Sequence, residues 1–238
     1  MAFIGDSYRE PGKVQVTYAL IAVNCLSFFV VFYKMDPNQV FSIGGIIPSE
    51  WFESTVAFSA HRPPEVISMI WSFFLHGGWL HLFFNMFALY LFGPNLEARM
   101  GRLNFFLFYL SCASAGALFQ VLQDAESQIP IIGASGAVAG LLGGYWVLFR
   151  DHFIRIDFGK RAKKDLIFPV YTLILFWVIL QVVNGFFPGH FLKGGKVQSV
   201  AYFSHIGGFV CGFFLTYYQT PKDKKSQPRF RVFTGGKR

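Results

Sequence analysis

Charge is what this sequence has least of. Only 14% of its 238 residues are Asp, Glu, Lys or Arg, against about 25% in an average soluble domain. The shortage excludes an ordinary water-soluble globule, whose surface needs more polar side chains than this chain can supply. Acidic residues are scarcer still, 13 against 21 basic, and none lies near the middle of an apolar stretch. That excludes chemistry driven by intramembrane carboxylates, such as aspartyl catalysis or a proton relay. Cys25, Cys112 and Cys211 fall in three different apolar stretches. There a thiol behaves as a small buried hydrophobe, not as part of a disulfide framework. No His-Glu-x-x-His occurs, which removes a common zinc-peptidase signature.

What the chain does have is apolar sequence: 53% hydrophobic residues, including 31 Phe. A helix needs roughly 20 mostly apolar residues to cross about 30 Å of hydrocarbon. Six segments meet that pattern: 14–33, 78–96, 103–122, 131–149, 166–187 and 200–218. Hydrophobicity on all sides, repeated at spanning length, predicts one polytopic membrane domain. The expected division is an N-terminal segment 1–13, a six-span domain 14–218 and a basic tail 219–238. Arg9 and Lys13 precede the first segment as in a signal peptide. Its apolar run is too long for one, however, and Lys34-Met35-Asp36-Pro37 is no cleavage site. Residues 34–72 carry Trp51, Phe52, Val56 and Phe58 but are broken by Gly44, Gly45, Pro48, Pro63 and Pro64. That combination predicts a long first external loop lying partly in the bilayer.

An even number of spans puts both termini on one side. Lys34, Arg62, Lys193 and Lys196 lie on the other side, leaving 17 of the 21 Lys and Arg residues with the termini. This bias predicts cytoplasmic termini and an affinity for anionic headgroups rather than for nucleic acid. The compact plan fits a bacterial cytoplasmic membrane.

Polar residues inside apolar stretches need an explanation, because lipid offers them no hydrogen-bond partners. Ser135, in Gly133-Ala134-Ser135-Gly136, precedes a helix-compatible run and therefore belongs at a helix N-terminus. Unpaired N–H groups and the helix dipole there favour an oxyanion. By itself this short motif fits a capping serine better than a nucleophile. His205 changes the balance. Gly208 and Gly212 follow it at i+3 and i+7, and Gly136, Gly140, Gly143 and Gly144 follow Ser135. Small residues let membrane helices approach closely, which a serine–histidine hydrogen bond requires. His81 and Asn85, four residues apart, share a helix face, with His76 near the preceding loop. Neutral imidazole N–H and amide NH2 suit donation to a developing oxyanion.

Taken together these residues resemble the rhomboid family of intramembrane serine proteases, over the second to sixth segments. The motifs are His76-x4-His81-x3-Asn85, Phe92-Gly93-x2-Leu96-Glu97-x3-Gly101, Gly133-x-Ser135-Gly136 and His205-x2-Gly208-x3-Gly212. The resemblance implies an all-α, six-transmembrane-helix bundle around a cavity open to the external side. It implies a Ser135–His205 dyad with no acidic third member, acting on transmembrane protein substrates without metal or cofactor. By the same resemblance His81, Asn85 and the Ser135 backbone N–H form an oxyanion hole, and His76 braces the first external loop. Glu97 and Arg99 hold the cytoplasmic end of their span, and the 188–199 loop acts as a lid.

Two positions depart from the family pattern. Members often carry an aromatic residue four positions after the serine, stacked on the histidine, where this chain has Ala139. Another group must therefore orient His205, with Phe203 and Phe209 as candidates. Many members have alanine where this chain has Ser204. Two rival readings are a catalytically inactive relative that binds transmembrane clients, and a transporter. Retention of Ser135, His205, His81 and Asn85 weighs against the first. The lack of paired broken helices weighs against the second.

Overall fold

The computed structural model describes residues 3–6, 10–51, 63–157, 166–187 and 200–220. Strand β1 (Phe3–Asp6) is followed by helices α1 (Val16–Lys34), α2 (Pro37–Gly44), α3 (Glu65–Ser72), α4 (Trp79–Met100), α5 (Arg102–Gln123) and α6 (Ser135–Phe149). Strands β2 (Phe153–Asp157) and β3 (Leu166–Pro169) precede α7 (Val170–Phe186) and α8 (Tyr202–Gln219). The protein is mostly helical, and each of the six apolar segments overlaps one of α1 and α4–α8. Among the described helices, α1 and α5 alone are both long and apolar enough to cross a membrane.

The all-α expectation needs correction, because β1, β2 and β3 form an antiparallel sheet in that order. Only part of its pattern is legible: Ile154-Arg155-Ile156-Asp157 alternates apolar and polar residues with the strand period, whereas β3 does not. Leu166–Pro169 belong to this sheet and not to the fifth helix. Pro169 forces extended backbone before it and sits at the α7 N-cap. The fourth helix likewise starts at Ser135, later than the apolar run that leads into it.

Helix α6 is the hub. Every residue from Gly136 to Tyr145 is buried, as an apolar helix without a polar face must be. It packs against α4, α5, α7 and most extensively α8. The perimeter is the reverse of a water-soluble protein: Leu26, Tyr33, Leu80, Phe84, Leu103, Leu122, Phe176 and Phe186 all face outward. Such a continuous apolar exterior is stable in lipid, not in water. In the first loop, Ile46, Ile47 and Trp51 are buried, so that stretch of the loop is packed onto the bundle, while Met35, Val66 and Trp71 are exposed. Phe52, Val56, Phe58, the 188–199 lid candidate and the tail from residue 221 onward lie outside the described residues.

At one end of α4, the buried Glu97 accepts hydrogen bonds from the backbone N–H groups of Gln15, Val16 and Thr17 and from the Thr17 hydroxyl, at 2.7–2.8 Å. These N–H groups open α1, so a carboxylate on one helix caps another and meets its positive dipole end. Arg99 pairs with Glu10 at 3.4 Å, and Asn95 accepts from the Glu10 N–H. Glu97→Gln keeps the oxygen but loses the charge. It should lower unfolding free energy by about 1–3 kcal/mol, read from denaturant unfolding in detergent micelles. Unchanged unfolding would refute the capping role.

Candidate active site

The chain reaches Ser135 through a segment pinned on both sides. Ile131 and Ile46 exchange backbone hydrogen bonds of 2.8 and 3.1 Å, and the Gly133 N–H donates to the Ser72 carbonyl at 2.8 Å. Gly133 then turns the backbone at φ +118°, a conformation L side chains rarely adopt. Space makes the same demand: a Cβ there would lie 2.6 Å from His81 Nε2 and 3.8 Å from Ser135 Oγ. Glycine thus lets the imidazole and the hydroxyl approach one point from two helices. The first α6 backbone bond runs from Val138 to Ala134. The N–H groups of Ser135, Gly136 and Ala137 consequently have no partner within the helix.

His81 Nδ1 accepts from the Gly77 N–H at 3.4 Å. An accepting Nδ1 puts the proton on Nε2, the atom beside Gly133, where it is a donor. Asn85 is buried, and its amide nitrogen donates to the His81 carbonyl at 3.0 Å. An amide NH2 has a second hydrogen, so this bond leaves one donor over. His76 is buried in the α3–α4 connection, its ring edge-on to His81 at 4.9 Å. Burial, reinforced by His81, pushes the His76 imidazole down to about 3, so it stays neutral.

The α6–α8 seam brings His205 towards this region. Gly208 stacks on the Gly136 backbone, Gly212 on that of Gly140, and Thr216 reaches Gly144. These pairs advance together in steps of four, so the helices run parallel in close contact. Three residues before Gly208, His205 lies at the same end of the seam as Ser135. Among the described residues no hydrogen bond joins Ser135 to His205. In unliganded enzymes such bonds are often long and tighten only with substrate. Ser204 is buried, with its hydroxyl beside Gly116 and Gly136 at a junction of α5, α6 and α8.

Neither Phe203 nor Phe209 makes a ring contact with His205 among the described residues; Phe203 meets Phe119 and Phe186 instead. His205 is contacted from α7: its Nδ1 lies 2.7 Å from Gln181 Oε1, and the Trp177 ring lies 5.7 Å away, tilted by 38°. Sequence reading passed over Gln181. Its signal is an amide in a largely apolar segment, shared there with Asn184, the same kind of anomaly that draws attention to Ser135.

An all-round apolar exterior, a helix-opening serine and a histidine across a glycine seam define a class: membrane proteins built for polar chemistry inside an apolar bundle. Residues 63–222 match the rhomboid domain, and the chain belongs to the rhomboid family. It is 32% identical over 158 residues to RHOMBOID-like protein 5 of Arabidopsis thaliana, covering 63% of this chain and 42% of that one. It is 33% identical over 216 residues to Rhomboid protein 1, mitochondrial, of Saccharomyces cerevisiae, covering 83% and 58%. Against Rhomboid protease GluP of Bacillus subtilis it is 29% identical over 210 residues, covering 86% and 35%. The chain therefore spans about a third to three fifths of the length of these relatives.

Proposed function

We propose that this protein is an intramembrane serine endopeptidase that cleaves transmembrane segments of other proteins near the external membrane surface. The observation that carries the reading is the convergence at Gly133. Ser135 opens a helix there with unpaired N–H groups, and a donor-competent His81 Nε2 stands on the opposite side. One named protease among the relatives agrees with it.

Ser135 Oγ attacks the scissile carbonyl while His205 Nε2 takes its proton. The oxyanion is held by the Ser135 N–H, His81 Nε2–H and the free amide hydrogen of Asn85. His205 then protonates the departing amine, and water hydrolyses the acyl-enzyme by the same route in reverse. Gly136, Gly208 and Gly212 keep the two helices close enough for this transfer. The test is a panel of single-span proteins incubated with purified wild type, Ser135→Ala and His205→Ala, alongside labelling by a fluorophosphonate. Cleavage and labelling by wild type alone support the reading. A wild type that retains bound clients without cutting or labelling would establish the inactive, client-binding alternative.

The proposed topology has six spans, with both termini on the Lys/Arg-rich cytoplasmic side and the site open to the other. Fusion of a compartment-sensitive reporter after Thr220 should read the cytoplasm, and an external signal would reverse the orientation. The relatives come from a plant, a yeast and a bacterium, and one is named as mitochondrial. The proposal therefore extends to an integral membrane location and not to a bacterial membrane in particular.

A further inference from the structure

We infer that Gln181 is the residue that positions His205, holding it as the Nδ1–H tautomer whose bare Nε2 can act as a base. The inference deepens the proteolytic reading and rests on it for its catalytic consequence.

Three observations carry it. Gln181 Oε1 is 2.7 Å from His205 Nδ1. The amide's other end is also committed, because Gln181 Nε2 donates to the Trp177 carbonyl at 3.3 Å. A backbone carbonyl can only accept, so the amide's donor nitrogen belongs at Trp177 and its oxygen at the imidazole. An accepting oxygen facing Nδ1 requires a proton on Nδ1, which leaves Nε2 with its lone pair. Finally, Gln181 is buried on a helix whose buried residues are otherwise Val170 and Ile174 alone. A glutamine in apolar surroundings is unfavourable unless its hydrogen bonds are made, and here both ends make one.

The arrangement answers a deficit elsewhere. Ala139 is fully buried on α6 and presents no ring to the histidine. Helix α7 supplies both a ring and an acceptor: the Trp177 ring, tilted beside the imidazole, and the Gln181 oxygen at its Nδ1 edge. A neutral amide selects the tautomer without adding a buried charge, whose desolvation would be costly at this depth.

The experiment compares wild type, Gln181→Leu and Gln181→Glu. Leucine removes the acceptor at similar volume; glutamate keeps an oxygen at the same reach. With a cleavable single-span substrate, Gln181→Leu should lose about ten- to a hundredfold in kcat, a share of the general-base contribution, with KM within twofold. Gln181→Glu should recover most of that loss. In parallel, nitrogen NMR of protein labelled with 15N-histidine, with His205 assigned by loss of its signal in His205→Ala, should show Nδ1 protonated in wild type. The tautomers should be mixed in Gln181→Leu. Equal kcat in Gln181→Leu and wild type, or an Nε2-protonated wild type, overturns the inference. If wild type cleaves nothing, the proteolytic reading fails, and the NMR comparison still decides whether Gln181 sets the tautomer.

Discussion

Ser135→Ala is expected to reduce cleavage of a single-span substrate by roughly four to six orders of magnitude, the loss found when a serine hydrolase loses its nucleophile. Among the described residues no other hydroxyl is placed to replace it. Ser204, the nearest hydroxyl in sequence to the histidine, is buried at the α5–α6–α8 junction beside Gly116 and Gly136. The same substitution should leave thermal unfolding unchanged, since alanine is a good helix former and Ser135 Oγ makes no hydrogen bond among the described residues. His205→Ala should show a comparable loss, and the double variant little more, because nucleophile and base act as a unit. Cleavage by Ser135→Ala within tenfold of wild type would refute the proposed chemistry.

The second large effect concerns a residue that takes no part in proton transfer. Gly208→Ala should lower turnover at least about a hundredfold, the penalty for misplacing reacting groups by about 1 Å. It should also destabilise the fold by about 1–3 kcal/mol through overpacking. The reason is geometric. A methyl at Gly208 would collide with the Gly136 carbonyl, which is backbone and cannot swing aside. The only relief is separation of α6 from α8, which moves His205 away from Ser135. Gly185→Ala is the control, because the nearest atom to its added methyl lies 3.4 Å away, on Tyr202. That variant should behave as wild type. Wild-type turnover in Gly208→Ala would show that the seam does not set the catalytic distance.

Several features were legible because they depend on local pattern. The helices follow runs of apolar residues, whereas the central place of α6 emerges only from its packing. Glu97 was placed at the end of its span, but its partners Gln15, Val16 and Thr17 lie some 80 positions away. No local pattern reports contacts of that kind. The sheet was missed for a different reason. Its strands are short, and β3 runs directly into the apolar sequence of α7, so helix and strand periods blur at the junction. The orientation of His205 was sought on its own helix, at Phe203 and Phe209, because sequence spacing suggests near neighbours. The hydrogen-bond partner instead comes from α7, while the ring contact on its own helix is with Tyr202.

Composition and patterning by themselves determined that this chain belongs in lipid, which stretches become its apolar helices, and which polar residues there need an explanation. Those follow from the solvent's inability to hydrogen-bond, a property felt residue by residue. Tertiary structure alone decided that Gly133 leaves room for His81, that α6 and α8 meet backbone to backbone, and that Gln181 faces the His205 ring. Each of these depends on how separate helices rotate and slide against one another. Close packing between backbones sets that relation, and it is encoded jointly by residues far apart in the chain.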